Sequence, residues 1–117
     1  MAPDLNQLLD LLRTKREAGA LCRRLGFGAE TTFDALLGLT EMAEILQRDD
    51  GGRFRISVGV VNNAEGRFGL ELRAQRDSSG PFDETVRQGL RTLHPLMDTV
   101  VVGDEEQSPM VKAVKWA

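Results

Sequence analysis

Chemically reactive side chains are scarce in this sequence. It contains one cysteine, Cys22, and one histidine, His94. A single cysteine excludes an internal disulfide framework and is typical of a reducing compartment. One cysteine and one histidine cannot together build a zinc site. Cys22 has no histidine near it in the sequence and falls on an apolar helical stripe, so we interpret it as a core residue.

Long apolar runs and excess positive charge are also missing. No run approaches the roughly 20 residues that a membrane-spanning helix needs, and no signal-peptide pattern opens the sequence. The formal net charge of -3 argues against non-specific nucleic-acid binding as the main role. These absences predict a cytoplasmic protein that binds neither a membrane nor nucleic acid.

The composition that remains is that of an ordinary folded protein. The 117 residues are 41% hydrophobic and 28% charged, which favours a globular chain over a disordered one. This length suits one domain with a real hydrophobic core. We therefore expect a single domain over residues 1–117.

Two helices are predicted first along the chain. Apolar residues recur at helical spacing in one long segment, which Gly19 bends or divides and which Gly26 and Gly28 end in a left-handed conformation. A second helix begins near Thr31 or Thr32, either of which can cap it. The first stripe consists of Leu5, Leu8, Leu9, Leu12, Ala18, Leu21, Cys22 and Leu25. The second consists of Phe33, Leu36, Leu37, Thr40, Ala43 or Glu44, and Leu46.

A β-hairpin follows, because two segments alternate apolar and polar residues around a turn at residues 62–66. Its predicted buried face is Phe54, Ile56, Val58, Val60, Phe68, Leu70, Leu72 and Ala74. Its other face carries Arg53, Arg55, Ser57, Arg67, Glu71, Arg73 and Gln75. A third helix opening at residues 82–84 and strands at 97–102 and 110–116 complete the pattern. The order helix, helix, strand, strand, helix, strand, strand predicts a two-layer α+β sandwich.

The stretch from Arg23 to Arg48, RRLGFGAETTFDALLGLTEMAEILQR, resembles a known family. A Leu-Gly-Phe turn leading into a helix with Thr-Glu-Met-Ala-Glu-Ile is similar to the N box of the anti-sigma-factor serine kinases, members of the GHKL (Bergerat-fold) ATPases. Residues 96–100 and 113–116 resemble the closing elements of those kinases. The resemblance covers most of residues 15–117. It implies a reduced Bergerat fold with a short or absent ATP lid, and with residues 1–14 as an atypical N-terminal helix where the family has an edge strand.

The resemblance also implies a nucleotide site, from which this sequence departs. In the family the N-box glutamate is the general base, and an asparagine four residues later holds Mg²⁺. Glu41 keeps the first position, but Ile45 replaces the asparagine and offers Mg²⁺ no oxygen ligand.

The family's adenine-binding loop, D-x-G-x-G, is changed as well. Aligned without gaps, Arg76 takes the position of the aspartate; a shift by one recovers Asp77 but places Ser79 and Pro81 where glycines belong. The glycine-rich phosphate lid is reduced to residues 81–85, too short for a phosphate-binding nest of backbone N–H groups.

We therefore expect a protein that is not an enzyme and has no cofactor and no metal, with Glu41, Asp77 and Gly80 as vestiges of the family's site. The resemblance favours a non-catalytic regulatory domain that binds proteins in a bacterial partner-switching or sigma-factor pathway. Its partner would be a STAS-domain antagonist or a sigma-factor-like protein. The alternatives are an active ATP-dependent serine/threonine kinase that uses Asp77, and a structural subunit of a larger assembly.

Two sets of residues are candidates for protein binding. The first is the N-terminal leucines, which are expected to extend beyond the second helix and to pair with a second copy of the chain or a partner helix, unless the first helix folds back over the sheet edge. The second is the arginine face of the hairpin, either a solvated surface or a docking site for an acidic partner. Trp116 is interpreted as a core-edge residue, or as an interface anchor if it is exposed. The candidate protein-binding residues are Leu5, Leu8, Leu9, Leu12, Arg53, Arg55, Arg67 and Arg73.

Overall fold

The structure is a computed structural model that describes residues 5–48, 53–77, 80–103 and 109–117. Its elements are α1 (Leu5–Arg24), α2 (Ala29–Gln47), β1 (Phe54–Asn62), β2 (Phe68–Arg76), α3 (Glu84–Leu90) with a 3-10 turn (Arg91–Leu93), β3 (Thr99–Gly103) and β4 (Met110–Trp116). This order confirms the predicted succession of helices and strands. No helix among the described residues is long and apolar enough to cross a membrane.

The four strands form one antiparallel sheet in the order β1-β2-β4-β3. Val58 of β1 lies opposite Leu72 of β2, Leu72 lies opposite Ala113 of β4, and Ala113 lies opposite Val100 of β3. These side chains therefore form a row across one face of the sheet. All three helices contribute to the buried cluster on that face, so the fold is an α+β sandwich of two layers, as predicted.

We call the face that carries this row the helix-covered face and the opposite face the open face. The strand residues of the helix-covered face that are fully buried are Leu70, Leu72, Ala74, Val111 and Ala113. Leu39 and Met42 of α2 pack against them and are also fully buried. The sequence alternation places every second strand residue on the open face, where the described residues supply no helix.

Helix α1 is continuous from Leu5 to Arg24, so Gly19 does not divide the predicted long helical segment. Its apolar residues form two stripes rather than one, because a helix turns by about 100° per residue and the two sets point in different directions. Ala18 and Cys22 are fully buried against β1 and α2. The four N-terminal leucines are exposed, with Leu5 at 68%, Leu8 at 39%, Leu9 at 49% and Leu12 at 62%.

Helix α2 begins earlier than predicted. Gly28 is its N-cap residue, with an extended backbone, and its carbonyl accepts the first helical hydrogen bond, from the N–H of Thr32 at 3.0 Å. Capping by Thr31 or Thr32 was therefore a wrong prediction. Gly26 does adopt the predicted left-handed conformation, with φ of 76°, whereas Gly28 does not.

The buried face of α2 is also rotated from the predicted one. Phe33 is 64% exposed, and Leu36, Leu37 and Thr40 are only half-buried. The fully buried residues are Ala35, Gly38, Leu39, Met42, Ala43, Ile45 and Leu46. Gly38 permits this orientation, because a Cβ atom at this position would lie only 2.9 Å from the sulfur of Met97.

The hairpin is buried less evenly than its pattern predicts. The β2 residues of the helix-covered face beyond Phe68 are fully buried, but β1 lies at the edge of the sheet and its apolar row is only half-buried. Val60 and Phe68, at the turn end, are 46% and 52% exposed. The turn itself is held by the side chain of Asn63, whose Oδ1 accepts N–H groups of Glu65 and Arg67 at 3.0 Å each.

Candidate functional site

The position that the resemblance assigns to a metal ligand is packed into the core. Ile45 is only 3% exposed, and a Cβ atom at Gly89 would lie 3.0 Å from Cγ2 of Ile45. Helices α2 and α3 therefore approach each other closely at these two residues, and Ile45 is packed between them. Glu41, one turn earlier on α2, is half-buried.

The position assigned to the adenine-binding aspartate is filled by the side chain of Arg76. This last residue of β2 lies on the helix-covered face and is 5% exposed. Its Nη2 donates to the carbonyl oxygens of Gly80 at 2.7 Å and Pro81 at 3.3 Å, and its guanidinium carbon lies 5.6 Å from the ring centre of Phe82. The arginine thus ties the end of β2 to the segment that leads into α3.

Asp77 points the other way. It follows Arg76 directly, and its Oδ1 accepts a hydrogen bond from Nε of Arg55 at 3.1 Å on the exposed side of β1. Gly80, with φ of 103°, contributes its carbonyl oxygen to Arg76. Ser78 and Ser79, which complete the aligned loop, lie outside the described residues. Asp77 and Gly80 are therefore engaged in structural contacts, on opposite sides of the chain.

The single cysteine is part of the core. Cys22 is fully buried and shares a side-chain hydrogen bond with Thr32. Burial raises the pKa of the Cys22 thiol above its ordinary value, while the Thr32 hydrogen bond and the nearby charge of Arg23 act in the opposite direction. A thiol of this kind is a packing group rather than a nucleophile. In the described parts of the chain, no group of three or more His, Cys, Asp or Glu residues is placed to hold a metal ion.

The open face carries a concentration of positive charge. Arg55 of β1, Arg73 of β2 and Lys112 of β4 all lie on it. Arg73 and Lys112 are directly opposite each other in the β2–β4 register. Like charges in directly opposite positions destabilise a sheet. Neither of these two side chains makes an ion pair with another described residue.

The arginines predicted to bind a protein partner differ in their contacts. Arg55 is paired with Asp77, and Nη2 of Arg67 donates to the carbonyl oxygen of Ala117 at 2.9 Å. Arg53 is exposed next to β1. Arg73 remains, together with Lys112, which is not among the residues predicted from the sequence. Because side chains alternate along a strand, Lys112 and Trp116 share one face of β4, but the sequence alone does not show that Arg73 lies on that same face.

Trp116 closes one end of the open face. It is half-buried, and its indole lies against Gly69, where an added Cβ atom would be 2.6 Å from Cε3 of the ring. Its backbone N–H donates to Oδ2 of Asp98 at 2.7 Å. The open face therefore combines a basic centre with a partly exposed tryptophan. Arginine and tryptophan are both enriched in protein interfaces.

Comparisons of the chain with models of known protein families, with curated proteins and with solved structures found no match.

Proposed function

We propose that this chain is a non-catalytic protein-binding domain and that its open face docks an acidic partner. The observation that carries the proposal is the direct opposition of Arg73 and Lys112 on an uncovered sheet face. A like-charge pair of this kind costs about 0.2–1 kcal/mol in the isolated domain. A carboxylate placed between the two side chains would remove that cost and add charge-assisted hydrogen bonds.

The charge distribution supports an acidic partner. The whole chain has a net charge of -3, yet the centre of the open face carries Arg73 and Lys112 with Glu71 as the acidic residue of the same two strands, while Arg55 nearby is paired with Asp77. Such a local reversal of sign raises the rate of encounter with a negatively charged surface. Trp116 at the end of the face supplies apolar area that can be covered on docking.

The helix-covered side supports a non-catalytic role. A nucleotide bound in the manner of the GHKL ATPases needs a cleft beside the second helix, and there the side chains of Ile45 and Arg76 are packed or bonded. The residue four positions after Glu41 is Ile45, whose side chain offers no oxygen ligand to a metal ion. These contacts favour a protein-binding domain over the alternative of a serine/threonine kinase.

The resemblance to anti-sigma-factor serine kinases extends the proposal to a pathway. In that reading the acidic partner is a STAS-domain antagonist or a sigma-factor-like protein, and the chain is a cytoplasmic, degenerate member of the Bergerat fold. The four exposed leucines of α1 favour a second candidate, a structural subunit that pairs through this helix.

Binding of a fluorescent poly-glutamate peptide tests the main proposal. At low ionic strength the chain is expected to bind it, and added salt is expected to weaken the complex because exposed charges are screened. The double variant Arg73→Glu, Lys112→Glu is expected to abolish binding. The double variant Arg13→Glu, Arg16→Glu is the matched control, because it changes the net charge equally on exposed residues of α1.

Equal loss of binding in both double variants would show that only net charge matters and would overturn the proposal. Stronger binding of a single-stranded RNA oligomer than of poly-glutamate would also overturn it, in favour of nucleic acid. Chemical-shift changes on poly-glutamate addition are expected on β1, β2 and β4 rather than on the helices.

A further inference from the structure

Strand β1 is a long edge strand without the usual protection. It contains nine residues and has a sheet neighbour only on its β2 side within the described part of the chain. Natural edge strands are commonly blocked by proline, lysine, short length or a covering element. The sequence FRISVGVVN contains neither proline nor lysine and carries one charge, Arg55.

The free edge of β1 presents a regular set of backbone groups. The N–H of Asp77 donates to the carbonyl of Arg53, and the N–H of Asn63 donates to the carbonyl of Arg67. In an antiparallel ladder, alternate residues direct both backbone groups to the same neighbour. The odd-numbered residues of β1 are therefore bonded to β2. The residues that direct their N–H and C=O groups to the free edge are Phe54, Ile56, Val58, Val60 and Asn62.

A groove runs along this edge. It has a volume of about 400 Å³ and is lined on one side by α1 residues between Gln7 and Glu17 and on the other by all of residues 54–58. Consecutive strand residues point to opposite faces, so a groove that touches all five reaches the edge they share. Ala43 and Gln47 of α2 also line it. The apolar side chains of β1 on the helix-covered side are thus only half-buried, next to open space.

We propose that a second copy of this chain occupies the edge, with the two β1 strands paired antiparallel across a two-fold axis. The pairing extends the sheet from four to eight strands. The outward backbone groups of each copy bond to those of the other. The half-buried apolar side chains of each β1 enter the groove of the partner copy, so that one strand supplies both the groove and the side chains that fill it.

The length of the edge suits a dimer. Nine residues in a strand span about 30 Å, which is close to the 31 Å middle dimension of the domain. Pairing along β1 therefore joins the two copies along a line about as long as the domain is wide, and the groove beside residues 54–58 adds side-chain contacts to it.

The strand sequence is also compatible with itself. The register that pairs all nine residues is centred on Val58, which then lies opposite its own copy. Ile56 lies opposite Val60 of the second copy, an apolar pair on the helix-covered side. Arg55 lies opposite Val61 of the second copy, so the charges on the two strands do not meet. Like charges placed opposite each other would have opposed such pairing.

The oligomeric state of the full chain tests the proposal. Sedimentation equilibrium is expected to show a monomer–dimer equilibrium. Val60→Lys is expected to raise the dimer dissociation constant by more than about tenfold, because the ammonium group would have to be buried at the paired edge. Val101→Lys is the matched control: Val101 is 60% exposed on β3, at the far side of the sheet, and its change is expected to leave the dimer unaltered.

Two further variants separate this edge from other contacts. Val58→Pro removes an N–H group that points to the free edge, and it leaves every hydrogen bond to β2 in place. The variant is therefore expected to be folded by circular dichroism and monomeric by sedimentation. The double variant Leu9→Glu, Leu12→Glu changes the exposed stripe of α1, which does not line the groove, and is expected to leave the dimer intact. A dimer that survives Val60→Lys and Val58→Pro but is lost in the leucine variant would overturn the proposal in favour of helix pairing.

Disulfide trapping tests the register. In a hydrogen-bonded antiparallel pair the Cα atoms are about 5.5 Å apart, within the range that a disulfide spans. Val58→Cys is therefore expected to give a disulfide-linked dimer under mild oxidation, whereas Val101→Cys is not. Absence of this cross-link in a chain that still dimerises would overturn the register.

A chain that remains monomeric at the highest accessible concentration would refute the proposal as a whole. That result would leave the acidic-partner proposal standing, because poly-glutamate binding depends on the open face and not on the edge. The two proposals can therefore fail separately.

Discussion

Replacing Ile45 by Asn gives the sharpest test of how the interior is built. Ile45 is 3% exposed and lies in close contact with the backbone of Gly89 on α3. Burying an isoleucine is worth about 1.5–3 kcal/mol, and an amide left without hydrogen bonds in the same place costs about 1–3 kcal/mol. Ile45→Asn is therefore expected to lower the free energy of unfolding by roughly 3–5 kcal/mol.

Urea denaturation measures this change through the transition midpoint. A loss of this size is a large part of the roughly 5–15 kcal/mol that stabilises a typical domain. Ile45→Val, which keeps the site apolar, is expected to cost only about 0.5–1.5 kcal/mol. Phe33→Asn, on the exposed side of the same helix, provides a second control and is expected to have a small effect, since Phe33 is 64% exposed.

The same variant decides between a packed interior and a latent nucleotide site. A ligand that binds only the folded state stabilises it by RT ln(1 + [L]/Kd), about 2.7 kcal/mol at one hundred times Kd. Neither the wild-type chain nor Ile45→Asn is expected to show an Mg²⁺-dependent rise in melting temperature with ATP. An Asn variant that is as stable as wild type, or that gains such a rise, would refute the packing argument and revive the kinase alternative.

Two other predictions follow from close contacts and from burial. Gly69→Ala is expected to destabilise the domain and to change the fluorescence of Trp116, because the new Cβ would lie 2.6 Å from the indole and 2.9 Å from a backbone carbonyl oxygen. Gly59→Ala on β1 is the control, because a Cβ atom added there has no other atom within 4 Å. Equal urea midpoints for the two variants would contradict the prediction. For Cys22, burial raises the pKa in the folded state, so the folded thiol keeps its proton to higher pH than the unfolded thiol, whose pKa is about 8.5. The resulting stabilisation is complete below that pH and is lost as the pH rises above it. The urea midpoint is therefore expected to fall less steeply with rising pH in Cys22→Ala than in the wild-type chain. An identical fall at alkaline pH in the two chains would contradict the burial of this thiol.

The succession of elements could be predicted because each rests on a local pattern. The strand at residues 110–116 has the same limits in the sequence prediction and in the structure, since it is rich in the β-branched and aromatic residues that favour strands. The third helix begins where the side chain of Asp83 caps the N–H of Val86 at 2.9 Å, a signal that is visible in the sequence. Local periodicity and capping chemistry suffice for such features.

Features that depend on a neighbouring element were predicted less well. The leucines of α1 share helical spacing with the buried residues, but only the position of α2 and β1 decides which part of the stripe is covered. Phe33 is exposed, whereas Gly38, on the other side of α2, allows Met97 to approach the helix closely. No pattern within one helix carries that information.

The candidate site shows the same limit. Arg73 was identified from the hairpin alternation, but its like-charged neighbour Lys112 is distant in sequence and becomes adjacent only through the β2–β4 register. Arg76 occurs at the end of a polar-looking run, and its burial depends on carbonyl oxygens supplied by Gly80 and Pro81. Pairings across long sequence separations set the chemistry of both positions.

The strand order also affects how the chain completes its fold during synthesis. β4 is the last of the four strands to be made, yet it lies inside the sheet, between β2 and β3. Until residues 110–116 leave the ribosome, β2 is hydrogen-bonded to β1 on one edge only. During that time β3 lacks β4, the strand with which it pairs. The hairpin and the two long helices can form early from local contacts, but the sheet closes only in a final step. A nascent chain stalled before β4 therefore exposes the central backbone edge of β2, which makes this domain sensitive to the order and speed of translation at its last strand.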